Sequence, residues 1–568
     1  MTQLKKLPKC SERFRWIFLL PVAGYLIYLM GIWEGHPNPK WALVLLLWSI
    51  VASVIAWVLV THRADRLLEI TEQHATTLAI TVMVVVVFGF MAISVWQMRN
   101  FAAGAQAEDT AYYSQVLWNT LHGHLLSGNL QQARIYHPPV TNDLALHVSP
   151  FLLAVLLPFY ALFPSALTLL LIRDLFLVAA AWPLFLIVRE RLGGTAGVSA
   201  VVLYLANPVV IAQGMESFYL LHFAPFPFFF ALWAFDREKY DSFWLWTMIA
   251  LGVREDVSIT VIGFGTMMIF LRRKWKWVAP GFVPPGMWWF VTTLVIQPFF
   301  GHAGNSALDA GLAGGQQSPA GAYGILLSGP VWMIDALRKG ALSFLYSIFR
   351  SVAFLSLLGW EIMLAGPILA ATLFLGHVYY QGNDPLSRFG LLPSCALIGS
   401  AILVVMRMGR TYEADRRAFA LILLVLLPSP CLLDGAKNAV RDRFSAYTVQ
   451  NDAAALHDAL RLIPSNASVA APNYALPALS KRYELFYIQY FYMYPDCQVD
   501  FFLFDNDLHR ITARPEVSRR YIELRDKLAQ DPNYEKIWQH GDYFLIHRRS
   551  GNAMPSKALS KGRSRPEA

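Results

Sequence analysis

The densest run of side chains able to do chemistry is Glu108-Asp109-Thr110-Ala111-Tyr112-Tyr113-Ser114-Gln115, followed by Trp118-Asn119 and Leu121-His122-Gly123. A carboxylate such as Asp109, set in a cavity, can accept the proton of an attacking hydroxyl, a contribution typically worth about 10²–10⁴-fold in rate. Glu108 is a second acid beside it. Tyr112, Tyr113 and Trp118 offer flat apolar faces of the kind that bind sugar rings, and Gln115 adds an amide on the same stretch. The same composition also suits the solvated start of a loop.

Three further groups carry charge where the chain is otherwise apolar. Gly252-Val253-Arg254-Glu255-Asp256 interrupts residues 243–271. Three consecutive charges between apolar segments are costly unless they meet water or partners. They form either the polar tip of a helical hairpin or a site, with Arg254 on a phosphate and Glu255 and Asp256 as supporting residues or ligands of a divalent cation such as Mg or Mn. His222 closes the turn Met215-Glu216-Ser217-Phe218-Tyr219-Leu220-Leu221-His222, and Arg388 lies in Asp384-Pro385-Leu386-Ser387-Arg388-Phe389. An arginine fork suits a phosphate, although Arg388 could equally snorkel to lipid headgroups. His147, after Asn142-Asp143, is a helix cap or interfacial anchor on one reading and an anion ligand on the other. His122, His124, His137 and His147 lack the spacing of a zinc site, and no phosphate-loop motif for nucleotide-driven transport is present.

The elements that must position these residues are membrane helices. Of 568 residues, 56% are apolar and only 15% charged, against about 25% charged in an ordinary soluble domain. Composition therefore excludes a cytosolic enzyme, a disordered chain and a coiled coil. Mean hydropathy is +0.42, and the net charge of +9 reflects loop placement rather than nucleic-acid binding. Since about 20 apolar residues cross a bilayer, the sequence predicts spans at 16–33, 41–60, 78–96, 167–188, 198–214, 222–236, 243–253, 257–271, 278–297, 342–358, 361–376, 389–406 and 417–433. Residues 148–163 are read as an interfacial helix on the outer leaflet. With that choice nineteen basic residues fall in inner segments before residue 434 and seven in outer loops, the bias expected of insertion. The expected fold is an α-helical polytopic membrane protein of about 13 spans, with its N-terminus in the cytoplasm. Residues 1–77 hold extra N-terminal spans, and 78–433 form the main membrane domain with outer loops 97–166 and 298–341. Residues 434–549 form a small α/β domain outside the cytoplasm, and 550–568 a disordered basic tail.

The Glu108–Gly123 run resembles the hallmark of a bacterial membrane-protein family, domain-of-unknown-function family 2079. Its pattern there is roughly Asp-Leu-Gly-Ile-Phe-Asp-Gln-x-x-Trp. Asp109, Gln115 and Trp118 match, while Ser114 replaces the second acid and Ala111 the glycine. The likeness extends through His147-Val148-Ser149-Pro150, Phe218 to His222, Arg254-Glu255-Asp256 (Lys-Glu-Asp in the family) and Ile463-Pro464 with Ser468-Val469-Ala470. It departs at Arg388-Phe389, where the family carries His-Tyr. That family is in turn similar to the GT-C superfamily, multi-spanning glycosyltransferases with a catalytic Asp in the first outer loop and polyprenyl-phosphate sugar donors.

The resemblance implies an inverting glycosyltransferase in a bacterial inner membrane, with Asp109 as general base. Arg254, with His222 or Arg388, is expected to hold the leaving phosphate, and Gln115, Trp118, Tyr112 and His147 to contact substrate. The partners implied are a polyprenyl-phosphate sugar donor, an envelope glycan or lipid acceptor and membrane lipids, without nucleic acid. Two other classes fit the same residues: a lipid or polysaccharide transporter or flippase without catalysis, and a non-catalytic assembly partner acting through residues 444–549.

Overall fold

The structure, a computed structural model, describes residues 48–102 (apart from 49, 57 and 60–62), 107–130, 149–296, 340–378, 384–409, 416–446, 452–493, 498–511 and 515–549. The expected first span, most of the second, residues 131–148 with His147, most of the loop 298–341 and the C-terminal tail lie outside them.

Helix α1 (Ala75–Arg99) is a 25-residue apolar rod, and α2 (Ala107–Leu121) carries the acidic run. Helix α3 (Ala166–Leu192) starts at Ser165, whose hydroxyl accepts the Leu167 N–H, one of the donors a helix N-terminus leaves unpaired. Helices α4 (Gly194–Leu205) and α5 (Pro208–Gly214) are bent by 61° to one another. The bend follows from Asn207-Pro208: proline disfavours helical backbone at the residue before it and suits a helix start. Asn207 caps α5 through the Val209 N–H and donates across to Ser351 Oγ at 3.0 Å. Short apolar helices follow, α6 (Pro225–Asp236), α7 (Tyr240–Leu251), α8 (Val257–Phe270) and the proline-containing α9 (Trp275–Val291). Helix α10 (Arg388–Gly409) is buried along almost its whole length, and α11 (Ser429–Ala446) leads to the C-terminal region.

Four helices are long and apolar enough to cross a membrane, α1, α3, α10 and Phe419–Ser445, and the bent α4–α5 pair makes a fifth. The thirteen spans expected from hydropathy are thus not reached by length and composition among the described residues. The expected spans 342–358 and 361–376 differ in kind. Helix Leu342–Arg350 ends in a turn with Ala353 and Phe354 at φ 50° and 56°, and two 3₁₀ segments, Leu355–Leu358 and Trp360–Leu364, precede Gly366–Val378. Close packing accompanies this break: a Cβ on Gly263 of α8 would stand 2.0 Å from the Leu364 carbonyl oxygen.

The C-terminal region holds five strands in the order β2-β1-β3-β5-β4: β1 (Val469–Ala471), β2 (Leu485–Tyr487), β3 (Phe501–Asp505), β4 (Tyr534–His540) and β5 (Tyr543–Arg548). Strand β1 pairs parallel with β2 and β3, whereas β5 runs antiparallel to β3 and β4. Strands point alternate side chains to opposite faces. Phe501 and Leu503 accordingly join the core of the helical body, while Phe502 and Phe504 pack with Tyr521 and Leu528 of α12 (Pro515–Gln530). The sheet is thus seated on the helical bundle, fastened by Gln115 of α2, which donates to the Tyr483 carbonyl at 2.8 Å and to Asn129 Oδ1 at 2.6 Å. The sequence predicts helices around 451–462 and near 516–530 and strands at 468–472, 499–505 and 543–549, so Ala453–Arg461, α12, β1, β3 and β5 were expected. Strands β2 and β4, one of three residues and one mostly exposed, were not.

Candidate functional site

The turn between α5 and α6 organises one end of the bundle. A buried ion pair anchors it: Arg173 and Asp174, adjacent on α3, meet at 2.6 Å, and Ser94 of α1 donates to Asp174 at 2.8 Å. Arg173 then donates to the carbonyl oxygens of Gly214 (3.0 Å) and Glu216. Gln97 of α1 donates to the Met215 carbonyl at 2.9 Å, and the Phe218 N–H donates to Thr110 Oγ1 of α2 at 2.9 Å. The last bond sets the acidic start of α2 against this turn.

Asp109 lies beside Tyr219 as a result. Its Oδ2 pairs with Arg388 Nη1 at 2.8 Å, and the Arg388 guanidinium stands 4.4 Å from the centre of the Tyr219 ring. Arg254 stands over the same ring at 4.9 Å, within the range of cation–π attraction. Arg254 also faces Asp256 at 3.1 Å and Glu255 at 3.7 Å. Tyr113 completes the group, edge-on to Tyr219 with centroids 6.3 Å apart. Burial raises the Tyr113 hydroxyl well above its ordinary value, with Tyr219 adding to the effect, so it stays a neutral phenol. For Arg254 burial works against the charge, but Asp256, Tyr219 and Glu255 outweigh it and hold the guanidinium charged. Arg254 Nη1, Arg388 Nε and the Tyr113 hydroxyl are buried without a hydrogen-bond partner among the described residues. Such orphaned donors are costly and mark where an acceptor fits.

The four separated segments singled out in sequence, around Asp109, His222, Arg254 and Arg388, therefore converge. Glu108 is buried next to Asp109. His222 is buried with both ring nitrogens engaged, one by the Tyr219 N–H at 3.1 Å and the other by Gln213 Oε1 at 2.9 Å. Tyr112 is buried edge-on to Tyr113. Gln115 faces the sheet region instead, and Trp118, on the side of α2 opposite Asp109, packs on His122 at 3.9 Å. Among the described residues no three His, Cys, Asp or Glu side chains are arranged to hold a metal ion.

Sequence reasoning did not single out Tyr219, Gln213, Glu216 or Arg443 as site residues. Arg443 of α11 pairs with Glu216 and donates to the Leu386 carbonyl. A small cavity of about 30 Å³ is lined by Gln97, Phe101, Thr110, Ser217 and Tyr474, so both the helical body and the sheet region contribute walls.

Long apolar helices gathered around a buried charged centre define an integral membrane protein. Residues 105–541 match the model of the family described as predicted membrane protein (DUF2079), and the chain belongs to that family. Among solved structures, ArnT from Cupriavidus metallidurans bound to undecaprenyl phosphate is similar, with 13% identity and a TM-score of 0.45, covering 83% of this chain and 98% of that one. No curated protein matches the chain.

Proposed function

We propose that this protein is a glycosyltransferase of the GT-C type, moving a sugar from a polyprenyl-phosphate donor to an envelope glycan or lipid acceptor at the outer face of a bacterial inner membrane. The observation that carries the reading is the Asp109–Arg388 pair at 2.8 Å, with Arg388 and Arg254 both over Tyr219. Inverting transfer needs one base for the acceptor hydroxyl and fixed positive charge for the departing phosphate. Asp109 and Arg388 neutralise one another, as do Asp256 and Arg254. An arriving phosphate competes for Arg388 and leaves Asp109 able to accept a proton.

The step then balances. The acceptor oxygen bonds to the anomeric carbon as the carbon–oxygen bond to phosphate breaks. The hydroxyl proton passes to Asp109, and the charge left on the phosphate rests on Arg388 and Arg254. Glu255 and Asp256 hold Arg254, His222 holds the Tyr219 backbone, and Tyr112 supports Tyr113. Glu108 would reinforce the local negative potential, and His147, outside the described residues, is assigned to the donor's headgroup. The layout that accompanies this function is the thirteen-span topology, with the N-terminus in the cytoplasm, residues 434–549 as an α/β domain outside it, and a divalent cation as an optional aid.

The test is transfer from a prenyl-phosphate sugar by the purified protein in lipid nanodiscs. Wild type forms glycosylated acceptor and Asp109→Asn forms none while still binding donor. Wild-type protein that carries labelled lipid across vesicles with no glycosyl product would point to the flippase class instead.

A further inference from the structure

The proposed reading above uses Asp109, Arg388, Arg254 and Tyr219, but it leaves open what holds the Tyr219 turn and the Arg388 turn in register. Tyr219 and Arg388 lie 169 positions apart in the chain. Between them runs a buried chain of hydrogen bonds whose direction is set at both ends by main-chain groups. At one end the Tyr219 N–H can only donate, so His222 Nδ1 must accept and carries no proton. The ring proton therefore sits on Nε2 and is donated to Gln213 Oε1 at 2.9 Å. The Gln213 Nε2 then donates to the Leu386 carbonyl oxygen at 2.8 Å, an atom that can only accept. Every donor faces an acceptor, and only the neutral Nε2–H form of His222 and one orientation of the Gln213 amide satisfy the whole chain. Gln213 and His222 are both fully buried. Leu386 sits in the Asp384–Arg388 turn, itself closed by its own bonds, with Leu386 N–H and Ser387 Oγ both donating to Asp384.

We infer that Gln213, acting through His222 on Tyr219 and through Leu386 on the Arg388 turn, is a positioning residue that fixes the distance between the aromatic platform and the arginine paired with Asp109. This inference rests on the phosphate-binding part of the proposed function. A small residue error at Gln213 would be felt at the site because rigid placement, not direct contact, is what it supplies.

The experiment measures binding of undecaprenyl phosphate, and separately of inorganic phosphate, to the full-length protein in nanodiscs. The variants are Gln213→Leu, Arg388→Ala and the pair combined. Gln213→Leu is expected to weaken the lipid about tenfold, and to have less than a twofold further effect once Arg388 is alanine, because its influence passes through that side chain. Gln213→Glu keeps the acceptor for His222 and loses the donor to Leu386, so it is expected to weaken binding as Leu does. Full affinity in Gln213→Leu, or the same tenfold loss with and without Arg388, overturns the inference. Ring-¹⁵N labelling of histidine, with the His222 signal assigned by His222→Gln, reads the relay without any ligand. Wild type should show a neutral Nε2–H tautomer that Gln213→Leu alters, and a protonated or Nδ1–H ring overturns the relay. If undecaprenyl phosphate fails to bind while that tautomer is seen, the donor reading falls and the relay's geometry stands; the positioning role assigned to Gln213 then falls with the donor.

Discussion

The two ends of the helical bundle treat charge in opposite ways. At the end remote from the site, Arg191 meets Asp236 at 3.1 Å, Arg273 meets Glu238 at 2.9 Å and Arg237 pairs with Glu190, all partly open to solvent. At the site end, Arg173, Asp174, Arg254, Glu255 and Asp109 are buried. Exposed pairs contribute about 0–1 kcal/mol each. Buried charges carry a desolvation cost that only good geometry offsets, and breaking one such pair is far more damaging than removing both partners. The far end thus reads as a solvated boundary, while the near end spends stability to hold fixed charge out of water. Within the near end there is a second division: Arg173–Asp174 is fully hydrogen-bonded and anchors a turn, whereas Arg254 and Arg388 keep donors unsatisfied among the described residues.

The largest effect expected from this contrast is on chemistry. Asp109→Asn should lower transfer by at least about 10²-fold, within the range for loss of a general base, while the donor still binds. Next, Arg173→Ala should destabilise the protein by roughly 3–5 kcal/mol, because Asp174 is left as an uncompensated buried charge. Arg173→Leu with Asp174→Leu should recover part of that loss in the same unfolding assay. If the two variants unfold alike, the pair is not the anchor described here. Arg191→Ala, at the open end, should cost less than about 1 kcal/mol, and a larger cost would erase the distinction between the ends.

A smaller effect is expected in the sheet region, which lies outside both ends. Burial pushes the Asp505 carboxyl up to about 6. The folded state then holds a proton that the unfolded chain has released, so this group's stabilising share is present below about pH 4 and fades as pH rises through about 6. Following unfolding of the sheet region between pH 4 and 7 should show that slope, and Asp505→Asn should flatten it.

The acidic run, the Arg254 hairpin and Arg388 were legible because charge stands out against apolar sequence, and insertion places it at helix ends. Tyr219 and Gln213 gave no such signal. A tyrosine and a glutamine within an apolar stretch are ordinary, and their meaning comes from partners on other elements, such as the Leu386 carbonyl. Gln115 and Trp118 shared the motif of Asp109 but not its helix face, which spacing along one helix decides and composition does not. The bent α4–α5 pair and the 3₁₀ segments after Arg350 were hidden for a related reason. Hydropathy counts apolar residues without recording that Asn207-Pro208 redirects the backbone.

Helices α7 and α8 contain 12 and 14 residues, so at about 1.5 Å per residue they climb roughly 18–21 Å. A hydrocarbon slab is about 30 Å deep. Helix α10 has 22 residues and climbs roughly 33 Å, so on the proposed orientation it spans that depth with Arg388 at the upper water line. Arg254 stands over the same Tyr219 ring as Arg388, so α7 and α8 start level with α10 and stop roughly 10 Å short of its far end. The deficit falls beside Arg237, Lys239, Arg272 and Arg273, whose long side chains reach out to the headgroups while the leaflet thins to meet them.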